Sequence, residues 1–295
     1  MSLIDFIDTS KLTELTKNQY ASKAVKLMDI FHKSLSAVIQ DADTSISKLK
    51  DQYSNKKTLK GYFGFIMTVF KYNPEFRSKH KEAYAKWEEA FKEVSNEVMD
   101  KLKDNEPSEK QKEGFIPYDE FKSKRTTLPK GSDDRLIVSL YGLMPPLRAD
   151  FNAVVVFKTK PKTKTVEDKN YIVLNKNKKN GVLYLNEYKT SKTYGQIERH
   201  FGSDLYQEIM DSMELNPRTF LFETRNGDPY DANTFQKYVN RRLKTIYGKP
   251  LTISLIRHSF INTMDFNRMS IREKEDLARD MGHSVSTQDT YRLIF

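Results

Sequence analysis

A change of pattern near residue 105 constrains this chain more than any other feature. Before it, apolar residues recur every three or four positions in three stretches. Tyr20, Ala24, Leu27, Met28 and Phe31 fall in about Thr16–Ser36, and Leu59, Phe63, Ile66, Met67 and Phe70 in Lys56–Tyr72. Trp87, Phe91, Val94 and Met99 fall in His80–Asp104. That spacing places each set on one face of a helix, so the first hundred residues read as all-helical. The polar run Asp104–Lys110, with Pro107 inside it, ends the third helix. A mixed pattern follows. A helix over Asp133–Leu143 is stopped by Pro145-Pro146. Tyr171–Leu174 and Val182–Leu185 read as strands, and the Asn180-Gly181 between them is a hairpin signal. A second turn, Lys189–Gly195, leads into a third strand. Helices are expected over about Ser203–Glu214, Ala232–Tyr247, Ile253–Phe266 and Ile271–Met281, with a short last helix bearing Tyr291. The charged stretch Lys158–Lys169 reads as a mobile loop. The expected fold is mainly α with a small antiparallel β-sheet: a helical domain over 1–110, a linker over 111–130 and a second domain over 131–295.

Composition narrows the function. Of a net charge of +10, residues 1–110 carry 19 Lys and Arg against 17 Asp and Glu, and the remainder 31 against 23. The basic excess therefore lies mostly in the second domain and suggests a polyanionic partner, most simply nucleic acid. The chain has no cysteine, which excludes disulfides, thiolate nucleophiles and cysteine-bound zinc, and fits an intracellular protein. No apolar run approaches the roughly 20 residues of a membrane span, and the N-terminus does not read as a secretory signal. The histidines His32, His80, His200, His258 and His283 lack zinc-ligand spacing. A glycine-rich phosphate loop and a Gly-x-Ser-x-Gly elbow are both absent from the sequence. No metal or cofactor is expected.

The chemistry points to the C-terminal part. Met281-Gly282-His283-Ser284 joins a Gly-His pair to Tyr291, about two helical turns on; Ser254-Leu255-Ile256-Arg257-His258 lies upstream, and Pro146-Leu147-Arg148 farther upstream. Cutting a phosphodiester without a metal needs a nucleophile, fixed cations for the nonbridging oxygens and a proton for the leaving oxygen, all held in line. Tyr291 is the candidate nucleophile. A phenol of pKa about 10 needs help from neighbouring cations and a base. Arg148 and Arg257 offer planar, permanently charged forks for phosphate oxygens. Arg257 sits among Ile253, Ile256, Phe260 and Ile261, an apolar setting in which a guanidinium needs an anionic partner. His283 is a candidate to bond a phosphate oxygen or assist the tyrosine's proton transfer.

These residues, in this order, resemble the tyrosine recombinase (phage integrase) family, most specifically over about residues 130–295. The resemblance implies a two-domain clamp on double-stranded DNA, with a helical core-binding domain preceding the catalytic domain. It also implies a 3′-phosphotyrosine intermediate, with neither ATP nor metal, and a homotetramer on paired DNA sites. A lysine in a β-hairpin turn would act as general acid; Lys189 is favoured over Lys192. His258 matches the family pattern as a supporting residue. Ser254 stands where the family usually has the histidine of His-x-x-Arg, the His283–Tyr291 interval is one residue shorter than usual, and only four residues follow the tyrosine. The Pro145-Pro146-Leu147-Arg148 setting looks more like recombinases of large eukaryotic DNA viruses and mobile elements, which would place the protein in a host cytoplasm or nucleus. Two other functions stay open: a type IB topoisomerase-like strand-passage enzyme, and a catalytically degenerate DNA-binding protein, which Ser254 keeps in play.

Overall fold

The computed structural model describes residues 3–162 and 166–294. Thr163, Lys164 and Thr165, in the stretch expected to be a mobile loop, lie outside the described residues. The chain divides into two compact units, residues 1–104 and 105–295.

The first unit is all helical among its described residues. Its longer helices are Glu14–Phe31, Ala42–Gln52, Lys56–Tyr72 and Lys81–Lys103. Asn55 starts the third of these by accepting from the backbone N–H of Lys57 and Thr58. Leu59, Phe63, Ile66, Val69 and Phe70 then form a buried stripe facing Trp87, Ala90 and Val94 of the next helix. Trp87 is fully buried, meets Phe63 edge-on at 5.4 Å and donates its indole N–H to the Ile39 carbonyl at 2.8 Å. It thereby also holds the short helix Leu35–Gln40, which has too few residues to show periodicity in the sequence. Trp87→Ala should cost about 3–5 kcal/mol. In the intact protein this is expected to raise amide exchange in Lys56–Tyr72 and Lys81–Lys103 by about 100-fold or more; unchanged exchange there would remove Trp87 from the core that holds these helices.

The second unit carries a four-stranded sheet, β1 (Val155–Phe157), β2 (Tyr171–Asn175), β3 (Asn180–Leu185) and β4 (Ile197–Phe201), in that spatial order. β2–β3 and β3–β4 are antiparallel, but β1 runs parallel to β2, so the sheet is mixed rather than purely antiparallel. The β2–β3 turn also differs from expectation. Asn180 and Gly181 open β3, opposite Asn175 and Leu174, and the turn is made by residues 176–179, with Lys179 in the left-handed region. Glycine at 181 answers to packing: a Cβ there would lie 2.4 Å from the Phe201 ring of β4.

Around the sheet pack Asp133–Gly142, Ser203–Leu215, Ala232–Tyr247, Ile253–Ile261 and Ile271–Asp280. The stretch 111–130, expected as a linker, is structured. This stretch lies within the second unit and forms the end of helix Glu109–Gly114, helix Tyr118–Ser123 and a 3-10 turn, Lys124–Thr127. Its Ile116, Tyr118 and Phe121 are buried. Ser259 donates to the Ile116 carbonyl at 2.6 Å, Tyr118 to the Tyr141 carbonyl at 2.9 Å and Tyr247 to the Phe121 carbonyl at 2.7 Å. Farther along, Arg125 and Arg135 share the buried carboxylate of Glu208. Elements of one or two turns, separated by Gly114 and Pro117, hide their periodicity, and tertiary contacts fix them instead.

Candidate active site

Helix Ile253–Ile261 is buried at every position except Ser254. Thr252 caps it, accepting from the Leu255 N–H at 3.2 Å. Its apolar side chains fill the core, and Arg257 goes inward with them, 1% exposed. The guanidinium is satisfied largely by backbone. Nη1 donates to the Pro146 carbonyl at 2.6 Å and to the Met281 carbonyl at 3.0 Å, and Nη2 meets His283 Nδ1 at 2.7 Å. The diproline explains the first contact: it follows the end of helix Asp133–Gly142, lacks N–H groups and presents bare carbonyls.

The same diproline leads directly to Arg148. Its backbone N–H is held by Asp150 Oδ2 at 3.1 Å, its carbonyl accepts from Tyr141, and its Nη1 donates to the Gly282 carbonyl. Gly282 closes helix Ile271–Asp280 at φ +65°, a conformation in which glycine avoids the Cβ penalty, while His283 N–H returns to the Ala278 carbonyl at 3.0 Å. This reversal brings the Met281, Gly282 and His283 segment under both arginines.

His283 is 1% exposed. A guanidinium only donates, so Nδ1 is the acceptor and the neutral ring carries its proton on Nε2. Burial, with Arg257 and Arg148 nearby, pulls its pKa down to about 3. Among the described residues Nε2 has no hydrogen-bond partner, and neither has Arg257 Nε. Two buried donors are thus left unused among charges that favour an anion.

Tyr291 stacks on His283 at 5.2 Å between ring centroids, and the Arg257 guanidinium carbon lies 4.8 Å from its ring centre. Burial would raise the phenol's pKa, but Arg257 and then Arg148 outweigh it and the pKa is lowered. The residue is not on the last helix as expected: Val285–Asp289 ends before it, and Tyr291 occupies the following turn. Contacts from the Arg257 helix and its end fix that turn. His258 Nδ1 lies 2.6 Å from the Tyr291 carbonyl, and the Asn262 amide makes two bonds with the Leu293 backbone, 2.9 and 3.0 Å. His258 therefore touches the tyrosine's backbone and ring, the latter at 4.8 Å.

The structure thus places Arg148, Arg257, His283 and Tyr291 together, with His258 behind them. Lys189, Lys192 and Ser254 are exposed rather than buried with that cluster. Lys189 and Lys192 are exposed on the β3–β4 connection, which Thr190 ties to the Gly282 carbonyl at 3.2 Å. Ser254 is exposed on the first turn of the Arg257 helix. The sequence reading missed Asp150, whose pKa burial raises despite three nearby arginines, and Arg199, 5% exposed on β4. The Ile197-x-Arg199-x-Phe201 alternation was the available signal, since it puts arginine on the inward face of a strand.

No protein-family model matches this chain, and no curated protein does. Two solved structures are similar over nearly all of it. A XerA recombinase is 15% identical, over 99% of this chain and 92% of its own, with a TM-score of 0.42. A dimer of lambda integrase residues 75–356, bound to a COC′ core site, is 14% identical over 98% and 92%, with a TM-score of 0.53. With its helical first unit, mixed sheet and surrounding helices, the chain shares the fold of this lambda integrase fragment.

Proposed function

We propose that this protein is a site-specific DNA recombinase that cuts and rejoins double-stranded DNA through Tyr291. The observation that carries the reading is the buried Arg257–His283 pair against Tyr291, with unpartnered Nε and Nε2 donors and a phenol whose pKa is lowered. The lambda integrase whose fold it shares is bound to a core DNA site. The basic excess of residues 111–295 supports contacts to phosphate.

In this mechanism the Tyr291 phenol gives its proton to solvent water and the phenolate oxygen attacks phosphorus. A new P–O bond forms to the phenol, the bond from phosphorus to the 5′ oxygen breaks, and that oxygen takes a proton. Arg148 and Arg257 hold the charge on the nonbridging oxygens, and His283 Nε2–H donates to one of them. Lys189 supplies the leaving-group proton, with Lys192 as the alternative; DNA entering over the β3–β4 connection would bring it into reach. The link is a 3′-phosphotyrosine, which conserves the energy of the broken bond, so rejoining needs neither ATP nor metal. Four protomers on two sites would exchange strands in sequence. The first unit would grip DNA as the core-binding domain.

Covalent trapping tests the proposal. Wild-type protein incubated with nicked duplexes and supercoiled plasmid, then quenched with detergent, is expected to leave a protein–DNA adduct that Tyr291→Phe loses. Tight, salt-sensitive binding without an adduct would support a non-catalytic binder instead. Relaxation of plasmid with no strand transfer between duplexes would favour the topoisomerase-like activity.

A further inference from the structure

Arg199 is a large buried charge that the mechanism leaves unused. On β4, Ile197, Arg199 and Phe201 face inward while Glu198 and His200 face out. Burial lowers the arginine's pKa to about 10, against the pull of Asp280 and Asp150. Burying a guanidinium costs several kcal/mol that a methionine or leucine on the same strand would not incur. Two parts of the site act on it. Nη1 donates to the Pro145 carbonyl at 2.9 Å, and the next carbonyl, that of Pro146, takes Arg257. Two adjacent carbonyls of one rigid segment are thus pinned by two buried arginines, two residues before Arg148. β4 also packs against helix Ile271–Asp280, which continues into Met281, Gly282 and His283, and the charge of its last residue, Asp280, attracts the guanidinium. Among the described residues Arg199 Nε and Nη2 have no hydrogen-bond partner, and Nη1 makes the bond to the diproline.

We propose that Arg199 is a positioning residue, which joins the Pro145–Arg148 segment to the end of helix Ile271–Asp280 and so sets Arg148, Arg257 and His283 in one geometry before DNA arrives. The role in cleavage rests on the recombinase reading; the role in geometry does not. A guanidinium suits the task because Nη1 holds a carbonyl while the delocalised charge is attracted by two acids, Asp280 and Asp150.

Two measurements on full-length Arg199→Met and Arg199→Lys test it, with Tyr291→Phe to assign the signal. The first is titration of the Tyr291 phenol by NMR of ring-labelled tyrosine in DNA-free protein. The charged and titratable groups around that phenol are Arg257, Arg148, His258 and His283. If Arg199 holds the two arginines in place, Arg199→Met moves the phenol's pKa upward, and Arg199→Lys, which keeps the charge, moves it less. The second is single-turnover adduct formation, expected to fall about 10- to 100-fold in Arg199→Met with DNA affinity unchanged. Should Arg199→Met fail to fold, Arg199→Lys decides through the same two readouts. A phenol that titrates as in wild type overturns the proposal, as does an unchanged adduct rate. If the phenol moves but wild-type protein forms no adduct, the positioning role stands and the recombinase reading falls.

Discussion

Arg257→Lys is expected to slow formation of the Tyr291–DNA adduct by about 10²–10³-fold, the usual cost of losing a donor aimed at developing charge. The substitution keeps the positive charge, so the effect isolates geometry. In the native site one planar group bonds the Pro146 carbonyl, the Met281 carbonyl and His283 Nδ1 and still has Nε to offer. A lysine ammonium has three donors on a shorter stem and no plane, so it cannot hold all three partners and a phosphate oxygen together. Arg257 is also the stronger of the two arginines in lowering the Tyr291 phenol's pKa. Moving its charge away lets burial dominate, and the phenol's pKa rises. The rise of cleavage rate with pH should therefore be displaced toward higher pH in the variant. Single-turnover trapping across a pH series measures both effects. A variant within tenfold of wild type at every pH would show that the Arg257 fork is not what organises the reacting phosphate.

How far the sequence foretold this arrangement depends on the residue. Lys56–Tyr72 and Ala232–Tyr247 have the bounds expected, because long apolar stripes coincide with strong punctuation: Asn55 and Asp231 as N-caps, and Gly248 as the left-handed C-cap. Spacing also singled out Arg148, Arg257, His283 and Tyr291, which the fold brings together although up to 143 residues separate them. Short elements were hidden. Leu35–Gln40 and Tyr118–Ser123 are each six residues, too few to show a period, and take their shape from partners such as Trp87 and Tyr247. The parallel pairing of β1 was hidden too, since three residues carry no directional signal. Arg199, Asp150 and Asp280 were passed over because a charged residue in a charge-rich sequence reads as surface. Only the fold shows that Arg199 is buried against the diproline and that Asp150 and Asp280, each half-buried, act on it. Lys189 is the reverse case. Its turn was legible, but a flexible, exposed side chain gains its position from whatever lies against it.

The second large effect concerns stability. Between pH 6.5 and about 3, wild-type protein should lose stability relative to His283→Gln, by an amount on the order of several kcal/mol at the acid end. His283 is neutral in the native state down to about pH 3, held there by burial and then by Arg257 and Arg148. The unfolded chain protonates the same residue near pH 6.5. Below that pH the unfolded state binds a proton that the native state refuses, so native stability is full above about 6.5 and declines as pH falls toward 3. Asp150 and Asp280, whose pKa values burial raises, contribute with the opposite sign. Comparing wild type with His283→Gln largely removes their contribution, because both proteins contain them. Urea unfolding at a series of pH values, followed by exchange or circular dichroism of the second unit, gives the difference. Parallel stability curves would mean that His283 titrates normally and that the Arg257–His283 bond is not maintained. The same linkage fixes the histidine's chemistry. Protonating Nδ1 would break the bond from Arg257 Nη2 and set two cations 2.7 Å apart, so His283 does not serve as the base that receives the tyrosine proton at neutral pH. In the proposed mechanism it would act as a neutral donor through Nε2, and cleavage is then expected to show no ionisation of a histidine at this position near pH 6.5.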